Sequence, residues 1–269
     1  MKTMIRSTLI LAVISGFILQ GCQKEDGPNS ALNSSPAQSS LKSQEARTFY
    51  GPTTPIGKGV ARAWVTENED GAPIAVGLNF TEKALENMPA DPSAWVLDLP
   101  DIKGMGFYKH VLFDWNPQGH EPPGIYDVPH FDVHFYTISS AERMAITPDK
   151  TAEAANAPAP QYAPPAYLFT GGLVPEMGVH WIDLLAPEFH GVPFTQTFIW
   201  GSFDGKFIFW EPMVTLAYLQ TKPDSSTLVR QPAAFQQDGW YAQNYKVAYS
   251  VIRKEYTVAL TDLAFHAGE

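Results

Sequence analysis

From His130 to Tyr136 polar and apolar side chains alternate without a break, and this register commits the centre of the chain to a β-strand. One face of that strand carries His130, Asp132, His134 and Tyr136, and the other carries Phe131, Val133 and Phe135. An aromatic and aliphatic back with an unbroken polar front suits a strand packed on a core behind and lining a pocket ahead. Solvent-washed strand positions more often hold Lys, Glu or Thr than two histidines flanking an aspartate. The front is therefore read as a pocket wall.

The spacing restrains what those histidines can do together. Residues four apart sit about 6 Å along a helix axis but roughly 13 Å along a regular strand. Metal–nitrogen bonds are only about 2 Å long. His130 and His134 could share an ion only by leaning together or across a bulge. Asp132, midway between them, is either a ligand or an outer acceptor that fixes a ring's tautomer.

The surrounding chain repeats the β pattern. Val60 to Thr66 alternates, Asn68-Glu69-Asp70-Gly71 supplies turn residues, and Ile74 to Phe80 returns. The acidic turn lacks the ligand spacing of an EF-hand loop. Thr81 is expected to cap a short helix that Pro89 stops. Trp95 to Leu99 and Phe107 to Trp115 are further strand candidates. Residues 147–166, with Ala-Pro-Ala-Pro and Ala-Pro-Pro, are expected to form a long surface loop, as a connector or a lid over the pocket. After it come Met177 to Asp183, then a hairpin of Phe194 to Trp200 and Lys206 to Glu211 turning through Gly201 to Gly205. Pro212 is expected to interrupt pairing and leave Glu211 at a strand end. Tyr245 to Ile252 and Tyr256 to Leu263 finish the chain. Short strands, many Gly and Pro turns and no fixed repeat predict an all-β, mainly antiparallel domain over residues 47–269, a barrel or jelly roll with one short helix.

The N-terminal segment has a different character. Lys2 and Arg6 precede an apolar run from Leu9 to Leu19 that is too short to span a bilayer, and the segment closes at Leu19-Gln20-Gly21-Cys22. Residues 1–22 resemble a bacterial lipoprotein signal. The resemblance implies lipidation of Cys22, a mature chain that begins there, and a place in the cell envelope facing the periplasm or exterior. Gln23 after the cysteine favours the outer membrane in a Gram-negative host. Cys22 is the only cysteine, which excludes an intrachain disulfide and any site built from several cysteines. Residues 23–46, rich in Ser, Asn, Gln and Lys, read as a disordered tether with an end-to-end reach of roughly 25–30 Å. A formal charge of −10 argues against nucleic acid as a partner.

Familiar catalytic signatures are missing. Gly57-Lys58 has neither the glycine spacing nor the Ser or Thr of a phosphate loop. Gly201-Ser202-Phe203-Asp204-Gly205 places its serine one position early for a nucleophile elbow. Metal-assisted and acid–base chemistry remain as the enzyme options. The string Gly119-His120-x-Pro-x-x-x-Tyr126-x-x-Pro129-His130-Phe131-Asp132-x-His134-Phe135-Tyr136, with Met177-Gly178-x-His180-Trp181 and Glu211-Pro212-Met213, resembles a family of secreted bacterial proteins that is a domain of unknown function. The likeness runs from about Gly57 to the end; it implies domain boundaries and no activity. A looser likeness to cupin-type metal barrels rests on His and Glu in a β scaffold, and the cupin His-x-His pair is absent.

The expected site therefore gathers His130, His134, His180 and Glu211 around one divalent metal, with Asp132 and His120 in support and Tyr126, Tyr136 and Trp181 as pocket or outer residues. Imidazoles with one carboxylate suit zinc, and also manganese, iron or copper. His110, His190 and His266 have no polar company in the sequence. Two functions fit: a metal-dependent enzyme of hydrolase or lyase type, or a non-catalytic lipoprotein whose metal-free polar network holds the polar end of a small molecule.

Overall fold

The computed structural model describes residues 46–102 and 106–269. The signal, Cys22 and all but the last residue of the tether lie outside the described residues. In chain order the strands are β1 (Arg47–Tyr50), β2 (Thr54–Ile56), β3 (Gly59–Glu67), β4 (Pro73–Thr81), β5 (Ser93–Asp98), β6 (His110–Asn116), β7 (His130–Tyr136) and β8 (Tyr167–Phe169). They continue with β9 (Val179–Asp183), β10 (Gln196–Phe203), β11 (Lys206–Thr215), β12 (Asp224–Leu228), β13 (Gly239–Tyr241), β14 (Asn244–Ser250), β15 (Glu255–Thr261) and β16 (Ala264–His266).

Pairing is antiparallel throughout and produces two open sheets. One runs β1-β3-β4-β15-β14-β12, with β2 also on β3, and the other runs β5-β6-β7-β11-β10-β9-β8; β13 and β16 pair separately. The expected all-β architecture is present, but neither sheet closes into a barrel: the arrangement is a jelly-roll-like sandwich. Each sheet has one strongly apolar face, and the two faces bury each other instead of curling around a lumen. Phe80 of β4 meets Phe113 of β6 at 5.2 Å between ring centroids and Phe131 of β7 at 6.1 Å, and Phe198 of β10 meets Tyr245 of β14 at 5.2 Å.

Local structure departs from expectation where a side chain found another partner. At Glu82–Leu85 there is a 3₁₀ turn, and the Thr81 hydroxyl accepts from the Val60 N–H at 3.2 Å instead of capping it. Three short α-helices occur where one was expected: α1 (Ser140–Met144), α2 (Thr151–Ala155) and α3 (Leu216–Gln220). The first is fixed by a capping box between Ser139 and Glu142. The second lies inside the stretch read as a loop, where Thr-Ala-Glu-Ala-Ala is free of proline. The β10–β11 turn is tighter than expected: Asp204 and Gly205 carry it with φ of 46° and 74°, and Gly201 and Ser202 belong to β10. Nor does Pro212 end β11. The strand runs on to Thr215 with Pro212 opposite Phe198, so Glu211 stands in mid-strand and not at an end.

Candidate metal centre

The second sheet places β7 between β6 and β11, and its registers decide what meets on the outer face. Asn116, Asp114, Leu112 and His110 of β6 stand opposite His130, Asp132, His134 and Tyr136. On the other side Phe209 pairs with Tyr136 and Met213 with Asp132, and the constant register puts Glu211 opposite His134. Beyond β10, His180 of β9 pairs with Gly201. Phe131, Val133 and Phe135 turn to the sandwich core, as the alternation requires. The polar front faces away from the other sheet, yet it is buried. Two smaller apolar clusters flank it, one with Leu112, Tyr136, Ile146 and Phe209 and one with Tyr126, Phe194, Ile199 and Met213.

Loops complete the enclosure. Gly119 adopts φ 71° where a side chain would collide with the Tyr126 carbonyl, and the His120 N–H donates to that carbonyl at 3.2 Å. The loop so closed swings the His120 ring over β7. Tyr126 donates from its hydroxyl to Glu188 at 3.1 Å, tying the same loop to the 3₁₀ turn Pro187–His190. On the opposite side Arg143 of α1 donates to Glu176 at 2.6 Å, and the Tyr136 hydroxyl donates to the Glu176 carbonyl at 3.2 Å. These contacts hold the segment with Leu173, Val174 and Met177, which walls the cavity.

Within this enclosure the ionisable side chains form two groups. In the first, Nε2 of His134 and Nε2 of His180 each lie 3.5 Å from Oε2 of Glu211. Asp114 Oδ2 lies 3.0 Å from the other nitrogen of His134. In the second, Nε2 of His130 lies 3.1 Å from Oδ1 of Asp132, and Nε2 of His120 lies 3.3 Å from Oδ2. Asn116 donates to the same Oδ2 at 2.7 Å. Backbone carbonyls orient both rings of the second group: Nδ1 of His130 donates to Val128 and Nδ1 of His120 to Glu121, each at 2.7 Å. Phe209 braces the first group, its ring centroid 4.8 Å from that of His134 and 5.4 Å from that of His180.

The electrostatics are those of carboxylates and imidazoles buried against one another. Burial raises Glu211 to about 8, with the charge of Asp132 adding to it. Burial opposes a charged His134, but Glu211 and Asp114 outweigh it and lift the ring to about 9. Burial and the neighbouring His134 hold His180 well below the usual range. In the second group burial acts against the Asp132 charge, yet His120 and His130 keep that carboxyl well below its ordinary value. His120 rises to about 9 through Asp132 although burial opposes it.

A cavity of about 580 Å³ opens onto both groups. Asp114, His120, Asp132 and His180 contribute polar edges, and Leu173, Val174, Met177, Ile182 and Ile199 contribute the apolar wall. The expected single cluster is divided. His134, His180 and Glu211 meet, whereas His130 joins Asp132 and His120, because β7 stays regular between its two histidines. Tyr126 lines the cavity, while Tyr136 packs beside His134 with its ring stacked on His110 at 4.8 Å. Trp181 is not part of the pocket. Its neighbour His180 faces outward, so alternation turns the indole into the core, where Nε1 donates to Ser202 at 2.8 Å. Sequence reasoning missed Asp114 and Asn116. The signal was alternation again, since His110, Leu112, Asp114 and Asn116 share one face of β6 just as the polar residues of β7 do.

Comparison with known proteins adds a partial match. Residues 68–115 are similar to the TTHB210-like family, described as hypothetical protein TTHB210. No curated protein and no solved structure matches the chain. The matched stretch runs from the β3–β4 turn into β6. It takes in His110 and Asp114 and leaves the remaining residues of both groups outside.

Proposed function

We propose that this chain is a lipid-anchored protein of the bacterial envelope that binds a divalent metal, zinc being the first candidate, through His134, His180 and Glu211, and acts on a small molecule held in the adjoining cavity. The observation that carries this reading is the set of ligand atoms. Three strands deliver two imidazole nitrogens and one carboxylate oxygen, all within 4.8 Å of one another. His134 Nε2 and Glu211 Oε2 are buried and lack a hydrogen-bond partner, although 3.5 Å separates them. Ligands held at 2.0–2.1 Å around a tetrahedral zinc lie about 3.3 Å apart, which is close to the spacing here. Unpaired buried polar atoms at that spacing are better explained as ligands than as a failed hydrogen bond.

The remaining residues fit a catalytic rather than a structural site. Asp114 sits where an outer carboxylate orients a ligating histidine and raises its basicity. Three protein ligands leave a coordination position free, and His180 and Asp114 border the cavity. His134, His180 and Glu211 would hold an ion whose Lewis acidity would supply water activation and polarisation of a carbonyl or phosphoryl oxygen, the chemistry of hydrolases and lyases. The wall from Leu173 to Met177 and Ile182 to Ile199 receives an apolar body and excludes water from the reacting end.

Elemental analysis of protein purified without a polyhistidine tag tests the reading. At least one equivalent of metal is expected in the parent, with one equivalent lost in both His134→Ala and Glu211→Gln. Less than about a tenth of an equivalent after reconstitution with zinc, manganese or iron refutes it and leaves the metal-free binding protein.

A further inference from the structure

We propose that His120, His130 and Asp132 form a second divalent-cation site, so that the cavity is lined by two metal ions on neighbouring strands. The observations are independent of those for the first site. His130 is fully buried and Asp132 is 5 % exposed, yet Nε2 of the one and Oδ1 of the other have no hydrogen-bond partner despite lying 3.1 Å apart. They are close but not aligned for a hydrogen bond, as two ligands directed at a common third point would be. The tautomer of His130 is settled by its surroundings: Nδ1 must carry the hydrogen, because its partner is the Val128 carbonyl. That leaves Nε2 as the ring atom directed into the site, 3.1 Å from a carboxylate oxygen.

His120 and Asn116 complete the design. His120 is oriented in the same way by the Glu121 carbonyl and brings its Nε2 to the other carboxylate oxygen. Asn116 holds that oxygen at 2.7 Å, as an outer hydrogen bond does for a ligating carboxylate. Two imidazoles and a carboxylate suit the same ions as the first site: zinc, manganese, iron or copper. One ion cannot serve both groups. His130 and His134 are four residues apart on a regular strand, roughly 13 Å, and the two carboxylates occupy diagonal positions on β7 and β11, about 7–8 Å apart at the α-carbons. Two divalent cations here would offset the charge of the three buried carboxylates Asp114, Asp132 and Glu211.

Zinc and manganese titrations of the full chain, followed by calorimetry and elemental analysis, test the proposal. The parent should bind two equivalents. His120→Ala, a change on a partly exposed loop, and the near-isosteric Asp132→Asn should each weaken one equivalent by at least about 100-fold and keep the other. His134→Ala should show the complementary pattern, keeping the ion that His120→Ala loses. A parent whose single equivalent survives His120→Ala overturns the second site, as does a His120→Ala protein that keeps two equivalents at parental affinity. If His134→Ala removes nothing while His120→Ala removes an ion, the first site fails and the second stands. Should Asp132→Asn not fold, the His120→Ala titration decides.

Discussion

Gly201 offers a sharp test of how the first group of ligands is held. It pairs with Phe209 across the β10–β11 hairpin and with His180 on its other side. A β-carbon at this position would collide with the Phe209 ring. That ring is fully buried and lies against His134, His180 and Tyr136. Gly201→Ala is therefore an overpacking change, expected to cost about 1–3 kcal/mol although alanine suits a strand better than glycine. For a domain of this size, each kcal/mol lowers the midpoint of thermal unfolding by about 2–4 °C. Urea unfolding followed by tryptophan fluorescence measures the cost. A second change separates collision from any backbone effect. Phe209→Leu frees the space, so the double variant should be less destabilised than the sum of the singles by roughly 0.5–3 kcal/mol. Additivity within about 0.3 kcal/mol would show that the ring does not need the glycine's empty space, and the account of Phe209 as a brace would fall.

The remaining predictions concern proton linkage, the core and the anchor. At neutral pH the metal-free site holds two protons that zinc must displace, one on His134, raised to about 9, and one on Glu211, raised to about 8, so affinity should rise by more than tenfold and up to about 100-fold per pH unit between pH 6 and 7; a flat profile in calorimetric titrations would contradict this. Phe131→Ala removes a buried ring packed 4.6 Å from Trp115 and 5.0 Å from Phe113 and should cost about 3–5 kcal/mol, whereas Ile252→Ser, 96 % exposed, should stay within about 0.5 kcal/mol in the same denaturation assay. Cys22→Ser should move the protein from membranes to the soluble fraction on cell fractionation, and a variant that stays with membranes would count against the lipid anchor.

Much of this site was legible because strand alternation is a strict rule. The facing of His130, Asp132 and His134 followed from the period of two; the same geometry strains any ion shared by His130 and His134, yet the expected site gathered both around one metal, and the structure separates them. The division of the residues was not legible. It depends on cross-strand register, which sets Glu211 beside His134 and Asp114 beside Asp132, and no local pattern fixes which strands become neighbours. Trp181 shows the same rule neglected: assigning both His180 and its neighbour to the pocket contradicts the alternation that was applied to β7. Pro212 misled for another reason. A proline ordinarily limits pairing, but losing one N–H costs only one ladder bond, and Glu211 to Thr215 carry enough buried apolar contact to keep the strand in place. The jelly-roll-like sandwich was one of the two architectures expected, and alternation alone did not separate it from a barrel, since both share the same alternating strands and differ in whether the edges meet.

That proline has a mechanical consequence. Between the Trp210–Phe135 and Met213–Asp132 pairs the β7–β11 ladder carries no paired residues, and this gap falls at Glu211 and His134. The seam between the two central strands is weakest in backbone bonding where the ligands face each other. An ion gripped by Glu211 on one side and His134 on the other would act as a rivet across the seam, replacing with coordination what the missing N–H withholds. The sheet's continuity would then depend on the supply of that ion, and starvation for it would loosen the middle of the molecule before it touched the rim.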